Sequence, residues 1–333
     1  MTSTPSSWSG RMAKAHPIGS LVGKRVAGGI ITLFVVSVVV FAATQILPGN
    51  AAYAVLGHSA TPASLHAFEV RFRLNRSAVS QYWSWLSGIF SGHLGTSLAN
   101  GQPVWALVRP RLAASAVLVA LAGLIGTTVG VALGSLAALR RDKALDHVFS
   151  VVSLAVTSLP EFTIAIALII LFATVVAHLL PSVSMLPPGV EAWNEPRLLI
   201  LPVATLVIVI VPYLARMMRA AMVEALESEY VEMARLKGLS PARVLLAHAL
   251  PNAIAPTVQV IGLNFLYLAG GIVVVEYVFN FPGIGQGLVN AVSDRDIPVI
   301  QLIVVLLAAF YVAMNILTDV VSLIASPRRR TGW

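Results

Sequence analysis

Residues 232–251 of this chain, EMARLKGLSPARVLLAHALP, form a charged and glycine-broken stretch between two long apolar segments. Just upstream, apolar side chains recur at the spacing of one helix face, at Met222, Leu226, Tyr230 and Met233. Gly238 suits the left-handed backbone that ends a helix, and Ser240 followed by Pro241 is typical of a helix start. The sequence therefore predicts two short helices that meet at a sharp corner, which we call the elbow (residues 222–251). An ordinary surface loop would also explain the charges and the glycine.

The composition places this elbow in a membrane protein. Hydrophobic residues make up 57% of the chain and charged residues 11%, and the mean hydropathy is +0.85, outside the range of soluble globular proteins. In such a chain the formal charge of +8 indicates basic cytoplasmic loops, not nucleic-acid binding. Cysteine is absent, which excludes disulfides, thiolate metal sites and cysteine nucleophiles. We therefore expect an all-α integral membrane protein.

Six stretches approach the roughly 20 apolar residues that a transmembrane helix needs. They are Val26–Leu47, Leu112–Leu139, Val148–Leu180, Leu198–Ala215, Ala253–Val275 and Ile297–Thr318. The third is too long for one upright helix, and we expect Pro160 to kink or interrupt it. Counting it twice would give seven spans. The first stretch is longer than a secretory h-region, which favours an uncleaved anchor.

The lysines and arginines predict how these spans are oriented. With both termini in the cytoplasm, most basic side chains fall in cytoplasmic segments: residues 1–25, the 140–143 turn, the elbow and the tail 326–333. The short outer loops then hold only Arg197 and Arg295. Residues 48–111 become a long external loop, with short interfacial helices that include the aromatic run Gln81–Trp85. Residues 112–325 hold the other five spans.

The elbow resembles the cytoplasmic EAA signature of ABC-importer permeases. The matching positions, in order and distance, are Glu232, Ala234, Gly238, Leu250 and Pro251. Met233 stands for the middle alanine of that signature, and His248 stands for the usual isoleucine. The histidine is similar to the His-Ala-Leu variant of the dipeptide/oligopeptide subfamily, so it strengthens the resemblance.

The resemblance extends over roughly residues 20–330 and points to the B-type permease of that subfamily. Leu47-Pro48-Gly49-Asn50 looks like the Leu-Pro-Gly-Asp that follows the first span of B-type permeases. Further similar stretches are Gly92–Gly95, Gly101–Val104 with Arg111-Leu112, Glu276–Gly285, Arg295–Pro298 and Asn315–Asp319. Ser326-Pro327-Arg328 stands where Asp-Pro-Arg is usual, which removes a cytoplasmic charge.

This resemblance implies a six-helix permease of the type I ABC importer fold in the cytoplasmic (inner) membrane. The implied partners are a homologous C-type permease in a heterodimer, two cytoplasmic ABC ATPases or one fused ATPase, an external solute-binding protein and membrane lipid. The chain itself would be no enzyme and hold no cofactor or metal, since the ATPase subunits bind ATP and Mg²⁺. The solute would be a dipeptide or oligopeptide, with nickel, glutathione or a haem-like compound as alternatives.

On the same resemblance, residues 232–238 form the coupling helix that docks on an ATPase. Ala234 would allow close docking and Glu232 would offer charge or a hydrogen bond, with Met233 between them. Gly238 would make the corner. Leu250 and Pro251, after His248, would seat the second arm of the elbow and begin the fifth span.

Several residues outside the elbow are candidates for packing or gating. Gly126, Gly130 and Gly134 form two successive GxxxG steps, which predicts close helix packing within the chain or across a permease dimer. Pro160-Glu161 and Gly270-Gly271 are candidates for the transport path or its gate. Glu161 is the ionisable residue that we place deepest in the membrane. We expect the others near membrane ends, solvated by water or headgroups: His178, Glu276 and Asp319.

Other functions find little support in the sequence. The stretch from Gly19 to Arg25 lacks one spacer and the Ser/Thr of a phosphate loop, and no strand precedes the glycines at 282–287. No two histidines have metal-binding helical spacing. A stand-alone secondary transporter is the main rival, but no internal repeat is visible and the elbow would have no role. A membrane scaffold leaves the elbow equally unexplained.

Overall fold

A computed structural model describes residues 17–46, 60–72, 75–176, 178–187 and 189–325, and its regular structure is helical. In these ranges the one β-type pairing is an isolated bridge between Thr96 and Pro103. We number the main helices α1 (Pro17–Ile46), α2 (Pro62–Arg71), α3 (Ala78–Ser91), α4 (Val104–Leu139), α5 (Ala144–Thr157), α6 (Glu161–Ile169), α7 (Pro196–Leu226), α8 (Glu229–Leu236), α9 (Leu250–Val278), α10 (Ile284–Ser293) and α11 (Ile297–Ala325).

Five helical segments in the described ranges are long and apolar enough to cross a membrane. They are Val22–Ile46, Val104–Leu139, Pro196–Leu226, Pro241–Val278 and Ile297–Ile324. The pair Ala144–Thr157 and Glu161–Thr174 also passes as one span, although its halves are bent by 102°. The all-α membrane fold is confirmed, and the predicted six spans are reached when this bent pair counts as one.

Proline accounts for the bend in the third span. Pro160 has an extended backbone (φ −61, ψ 147) immediately before α6, so it interrupts the helix as expected. The helical part ends at Thr174 and not at the predicted Leu180. A π-helical turn at Ile170–Thr174 closes it, and His178 beyond has a positive φ of 49, which a continuing helix does not allow.

Two helices begin earlier than predicted. α1 starts at Pro17, so residues 17–25 are helical, and proline at the first position loses no helical hydrogen bond. α4 starts at Val104, inside the stretch 48–111 that was predicted to be the external loop, and this places Arg111 in a helix. Residues 1–16, the motif Leu47–Asn50 and the tail 326–333 lie outside the described residues.

Side-chain contacts show how the spans run. Helices α1 and α11 are antiparallel, because Arg25 pairs with Asp319 and Thr44 accepts a hydrogen bond from Gln301. Helix α9 starts at the elbow and is antiparallel to α4 and α11. The bundle therefore has an elbow end, with the elbow and the 140–143 turn, and a loop end, with residues 60–103 and α10.

The glycines of α4 lie against α7 of the same chain. An added Cβ at Gly126 would lie 2.8 Å from Ile210 Cγ1, and one at Gly130 would lie 2.8 Å from Leu214 Cδ2. At Gly134 it would meet the Ala215 carbonyl oxygen and lie 2.7 Å from Met218 Cβ. These glycines let two parallel spans approach closely along their length.

Helix α3, which lies at the loop end, is attached to the first span by its aromatic run. Tyr82 packs edge-on against Phe41 with ring centroids 5.3 Å apart, and its hydroxyl lies 2.9 Å from Ser37 Oγ. Trp83, its neighbour, is 56% exposed. The structure thus gives Tyr82 an anchoring role in the fold.

Candidate functional site

The elbow contains a break that the apolar pattern did not reveal. Helix α7 ends at Leu226 and α8 begins at Glu229, because Ser228 has an extended backbone (φ −75, ψ 149). The prediction that the four apolar positions from Met222 to Met233 lie on one face of a single helix is therefore wrong. Met222 and Met233 belong to different helices and do not share a face: Met222 is fully buried, whereas Met233 is 54% exposed.

The corner itself is formed at Gly238. Its φ of 74 is left-handed, and its N–H donates to the Arg235 carbonyl at 2.9 Å. Ser240 has an extended backbone before a helical turn at Pro241–Arg243. A π-helical stretch, Val244–Ala249, then leads without a break into α9. The second arm of the elbow is thus continuous with the fifth span.

Ala234 faces inward, contrary to the docking role predicted for it. It is 5% exposed and packs in a cluster with Val231, Met218, Met222 and Val244. A small side chain at this position lets α8 lie close to the helices beneath it. The break at Ser228 reorients α8 relative to α7. Apolar side chains other than Ala234 therefore lie on the surface of the elbow. We call these the exposed elbow residues: Tyr230, Met233, Leu236 and Leu246, at 41%, 54%, 75% and 62% exposure.

The remaining predicted elbow residues surround this cluster. Glu232 is exposed on α8. His248 is partly buried, and its carbonyl accepts a hydrogen bond from Asn252 Nδ2 at 2.7 Å. Leu250 is partly buried against the cluster, and Pro251 is exposed in the first turn of α9.

The base of the elbow is fixed by an ion pair that sequence reasoning missed. Arg219 donates to both carboxylate oxygens of Asp146, at 2.6 Å and 2.5 Å, and Asp142 N–H donates to the same group at 3.1 Å. Asp146 is 3% exposed, so this bidentate pair is largely removed from water. Nearby, Arg141 pairs with Glu227. The signal in the sequence was a single acid in the first turn of an otherwise apolar helix.

The structure brings three of the four candidate gate residues together. Pro160 precedes α6, and the carboxylate of Glu161 accepts a hydrogen bond from Tyr267 Oη of α9 at 2.8 Å. A Cβ at Gly271 would lie 3.6 Å from Glu161 Oε1. Gly270 makes no such contact: it is exposed, and an added Cβ there would meet no atom within 4 Å.

Glu276 is buried, which corrects the expectation that water or headgroups solvate it. Its exposure is 0%. Ser115 Oγ donates to Oε1 at 2.5 Å, and the N–H groups of Gly285 and Gln286 donate to Oε2 at 2.7 Å and 3.2 Å. A Cβ on Gly283 would collide with this carboxylate. Glu276 thus holds the N-terminal turn of α10 against α4, where the amide dipoles favour negative charge.

The two other ionisable candidates have different surroundings. Asp319 forms an ion pair with Arg25 at 2.8 Å between the last and first spans. His178 is exposed in the segment after the bent third span.

A further buried acid, Asp296, accepts hydrogen bonds from Leu98 N–H at 3.0 Å and from Ser97 Oγ. It ties residues 97–98, which precede α4, to the start of α11.

Comparison with known proteins agrees with this architecture. The profile described as "Binding-protein-dependent transport system inner membrane component" matches residues 130–331, and its N-terminal counterpart matches residues 20–119. A Brucella abortus protein, provisionally named as a permease of a peptide transport system, is 36% identical over 93% of this chain and 99% of its own length.

Two other relatives are 34% identical to this chain. The di/tripeptide transport system permease of Pseudomonas aeruginosa matches over 93% of this chain and 98% of its own length. The glutathione transport system permease of Escherichia coli matches over 92% and 97%. The chain therefore belongs to the family of binding-protein-dependent transport system inner membrane components, which work with ATPase and binding-protein partners and are not themselves the ATPase.

Proposed function

We propose that the chain is the B-type permease of an ATP-driven ABC importer that carries peptides across the inner membrane by alternating access. The names of the Brucella and Pseudomonas relatives, which cite peptide and di/tripeptide transport, support this solute class. Glutathione, named for the Escherichia coli relative, is the main alternative. Nickel and haem-like compounds are alternatives that these relatives do not favour.

The proposed assembly pairs this chain with a homologous C-type permease. Two ATPase subunits, or one fused ATPase, would bind ATP and Mg²⁺ at the elbow end, and a solute-binding protein would dock at the loop end. Both termini and the elbow would be cytoplasmic. The basic turn at Arg140, Arg141 and Lys143, which lies at the elbow end, supports this orientation.

The observation that carries the proposal is the surface chemistry of α8. Met233 and Leu236 are exposed on a short helix that also carries exposed charges, including Glu232. Apolar side chains of this kind are stabilised when a partner covers them. We infer that they enter a groove of the ATPase, while Glu232 lies at the edge of the contact.

The elbow is built to move as one body with the spans. Val231 and Ala234 attach α8 to its own chain, Gly238 sets the corner, and the second arm continues into α9. The Asp146–Arg219 pair attaches α5 to the same base. When ATP draws the ATPases together, displacement of α8 would be passed to α5, α7 and α9.

The test uses the assembled complex in proteoliposomes with its binding protein outside. We expect ATP-dependent uptake of dialanine, and its loss when the ATPase subunits carry a substitution that abolishes hydrolysis. Uptake that does not respond to that substitution would indicate a secondary transporter. If the complex takes up glutathione but not dialanine, glutathione replaces peptides as the proposed solute.

The absence of native cysteine allows a matched test of the docking surface. Leu236→Cys should form a cross-link to an ATPase subunit, whereas Ala234→Cys, two residues away but buried, should not. Failure of Leu236→Cys to cross-link in a complex that transports would contradict the proposed contact.

A further inference from the structure

Glu161 lies near the midpoint of the long spans. Its partner Tyr267 is two residues beyond Phe265, and Phe265 packs against Gly123 near the centre of α4. At 1.5 Å per residue, Tyr267 is about 16 Å from the end of α9 at Val278. The hydrocarbon layer is about 30 Å thick, so this depth is well inside it.

The carboxylate of Glu161 is poorly satisfied for such a depth. Among the described residues, Tyr267 Oη is its one hydrogen-bond donor, although a carboxylate can accept about four hydrogen bonds. Glu161 is partly exposed, and Tyr267 is 51% exposed. Glu276, by contrast, has three donors and no exposure. A carboxylate left in this state against acyl chains is strongly disfavoured.

One face of α9 continues this exposed surface. Leu263, Tyr267 and Gly270 are spaced four and three residues apart, so they lie on the same side of the helix, and all three are exposed. Because Glu161 and Tyr267 are polar at midplane depth, this face is better matched to water or a second protein chain than to lipid. A face of this kind is what a wall of the solute path requires in the assembled complex.

We propose that Glu161 and Tyr267 form a recognition point for the ammonium group of the solute as it crosses the membrane. The carboxylate supplies the charge, and the tyrosine hydroxyl fixes its orientation while its ring offers a face for a cation. The proposal rests on peptide import, because a peptide carries an α-ammonium and can carry a lysyl ε-ammonium. It makes Glu161 a specificity-determining residue and not a packing residue.

The charge preference of this wall can be measured without solute. Gly270→Cys places a thiol one residue from Gly271, and its Cβ meets no atom within 4 Å. The assembled complex is treated with two methanethiosulfonates of similar size, one carrying trimethylammonium and one carrying sulfonate. In water, a carboxylate about 6 Å from a thiol favours a cationic over an anionic reagent about tenfold relative to a free thiol, and we expect a preference of that order.

Variants of Glu161 identify the source of that preference. With Glu161→Gln the ratio of the two rates should return to the free-thiol value, and with Glu161→Asp part of the preference should remain. Phe90→Cys on α3, 85% exposed, is the control whose ratio should not respond to Glu161→Gln. If Gly270→Cys does not assemble, Leu263→Cys on the same face replaces it.

Protection by peptides distinguishes the sources of ammonium. Excess dialanine carries an α-ammonium, N-acetyl-lysyl-alanine carries only the side-chain ammonium, and N-acetyl-dialanine carries neither. The proposal is supported if dialanine or N-acetyl-lysyl-alanine slows the modification and N-acetyl-dialanine does not. The peptide that protects then shows whether the α-ammonium or the side-chain ammonium is bound. No modification by either reagent, a ratio unchanged by Glu161→Gln, or protection by none of the peptides would overturn it. Failure of peptide import itself would appear separately, as absent ATP-dependent dialanine uptake by the wild-type complex.

Discussion

The buried acids of the loop end and the exposed apolar side chains of α8 at the elbow end have opposite surroundings. At the loop end, the acids Glu276 and Asp296 are buried and receive hydrogen bonds from several donors of the same chain. At the elbow end, the apolar side chains Met233 and Leu236 are exposed on a helix that is otherwise charged. Both ends are held by buried acids that are bonded within the chain, Asp146 at the elbow end among them, but α8 also leaves apolar surface available for another chain.

This difference indicates which residues should affect stability and which should affect coupling. Substitutions at the loop end remove bonds that the isolated chain already makes. Substitutions of the exposed elbow residues remove little from the isolated chain and act only when a partner is present. We expect the thermal stability of the purified chain in detergent to fall most when Glu276 is substituted, less for Gly134 and Gly238, and least for Leu236.

The largest effect is expected from Glu276→Ala. It leaves the Ser115 hydroxyl and the N–H groups of Gly285 and Gln286 without their acceptor in a buried site. We expect a loss of about 3 kcal/mol or more, seen as a clear fall in the thermal midpoint. Glu224→Ala, on the exposed side of α7, is the control and should change stability by less than about 0.5 kcal/mol. If Glu276→Ala and Glu224→Ala have equal thermal midpoints, the hydrogen bonds of Glu276 do not stabilise the loop end.

A smaller loss is expected from Gly134→Ala, in the helix pair that connects the two ends. The new Cβ would meet the Ala215 carbonyl oxygen, which is backbone and cannot rotate away. Overpacking of this kind costs about 1–3 kcal/mol. Gly28→Ala is the matched control, because its Cβ meets no atom within 4 Å. It should be neutral or stabilising, since alanine favours helix over glycine by up to about 1 kcal/mol. If Gly134→Ala and Gly28→Ala change the thermal stability in the same direction, the assigned packing of Gly134 against α7 is contradicted.

The corner of the elbow should show a more modest effect. Gly238→Val places a branched side chain at φ 74, which costs about 1–2 kcal/mol although the site is open. Gly238→Asn should cost less, because asparagine tolerates this backbone better. The measurement is the thermal midpoint together with ATP-dependent uptake. Valine and asparagine variants that behave alike would show that the left-handed corner is not what matters.

Local chemistry explains what the sequence predicted well. Gly238 and Pro160 determine the backbone at their own positions, so the corner and the break in the third span could be predicted without knowledge of their neighbours. The span positions followed from composition in the same way. Tertiary contacts explain what was missed. The burial of Glu276 depends on Ser115, 161 residues earlier, and the inward orientation of Ala234 depends on a break at Ser228 that periodicity does not report.

The smallest effect on stability, and the sharpest contrast between the ends, is expected from Leu236→Ser. Leu236 is 75% exposed, so the isolated chain should change by less than about 0.5 kcal/mol. If Leu236 is an anchor in the ATPase groove, its truncation should cost about 2 kcal/mol of binding, roughly thirtyfold in the affinity of the ATPase subunits for the permease. Lys237→Ser, on the exposed neighbour, should leave that affinity within about threefold, as rim charges contribute little. An unchanged ATPase affinity in Leu236→Ser, or a thermal midpoint lowered as far as in Glu276→Ala, would mean that the elbow end is held by its own chain like the loop end. In that case the exposed side chains of α8 could not be the surface through which ATP hydrolysis reaches the membrane helices.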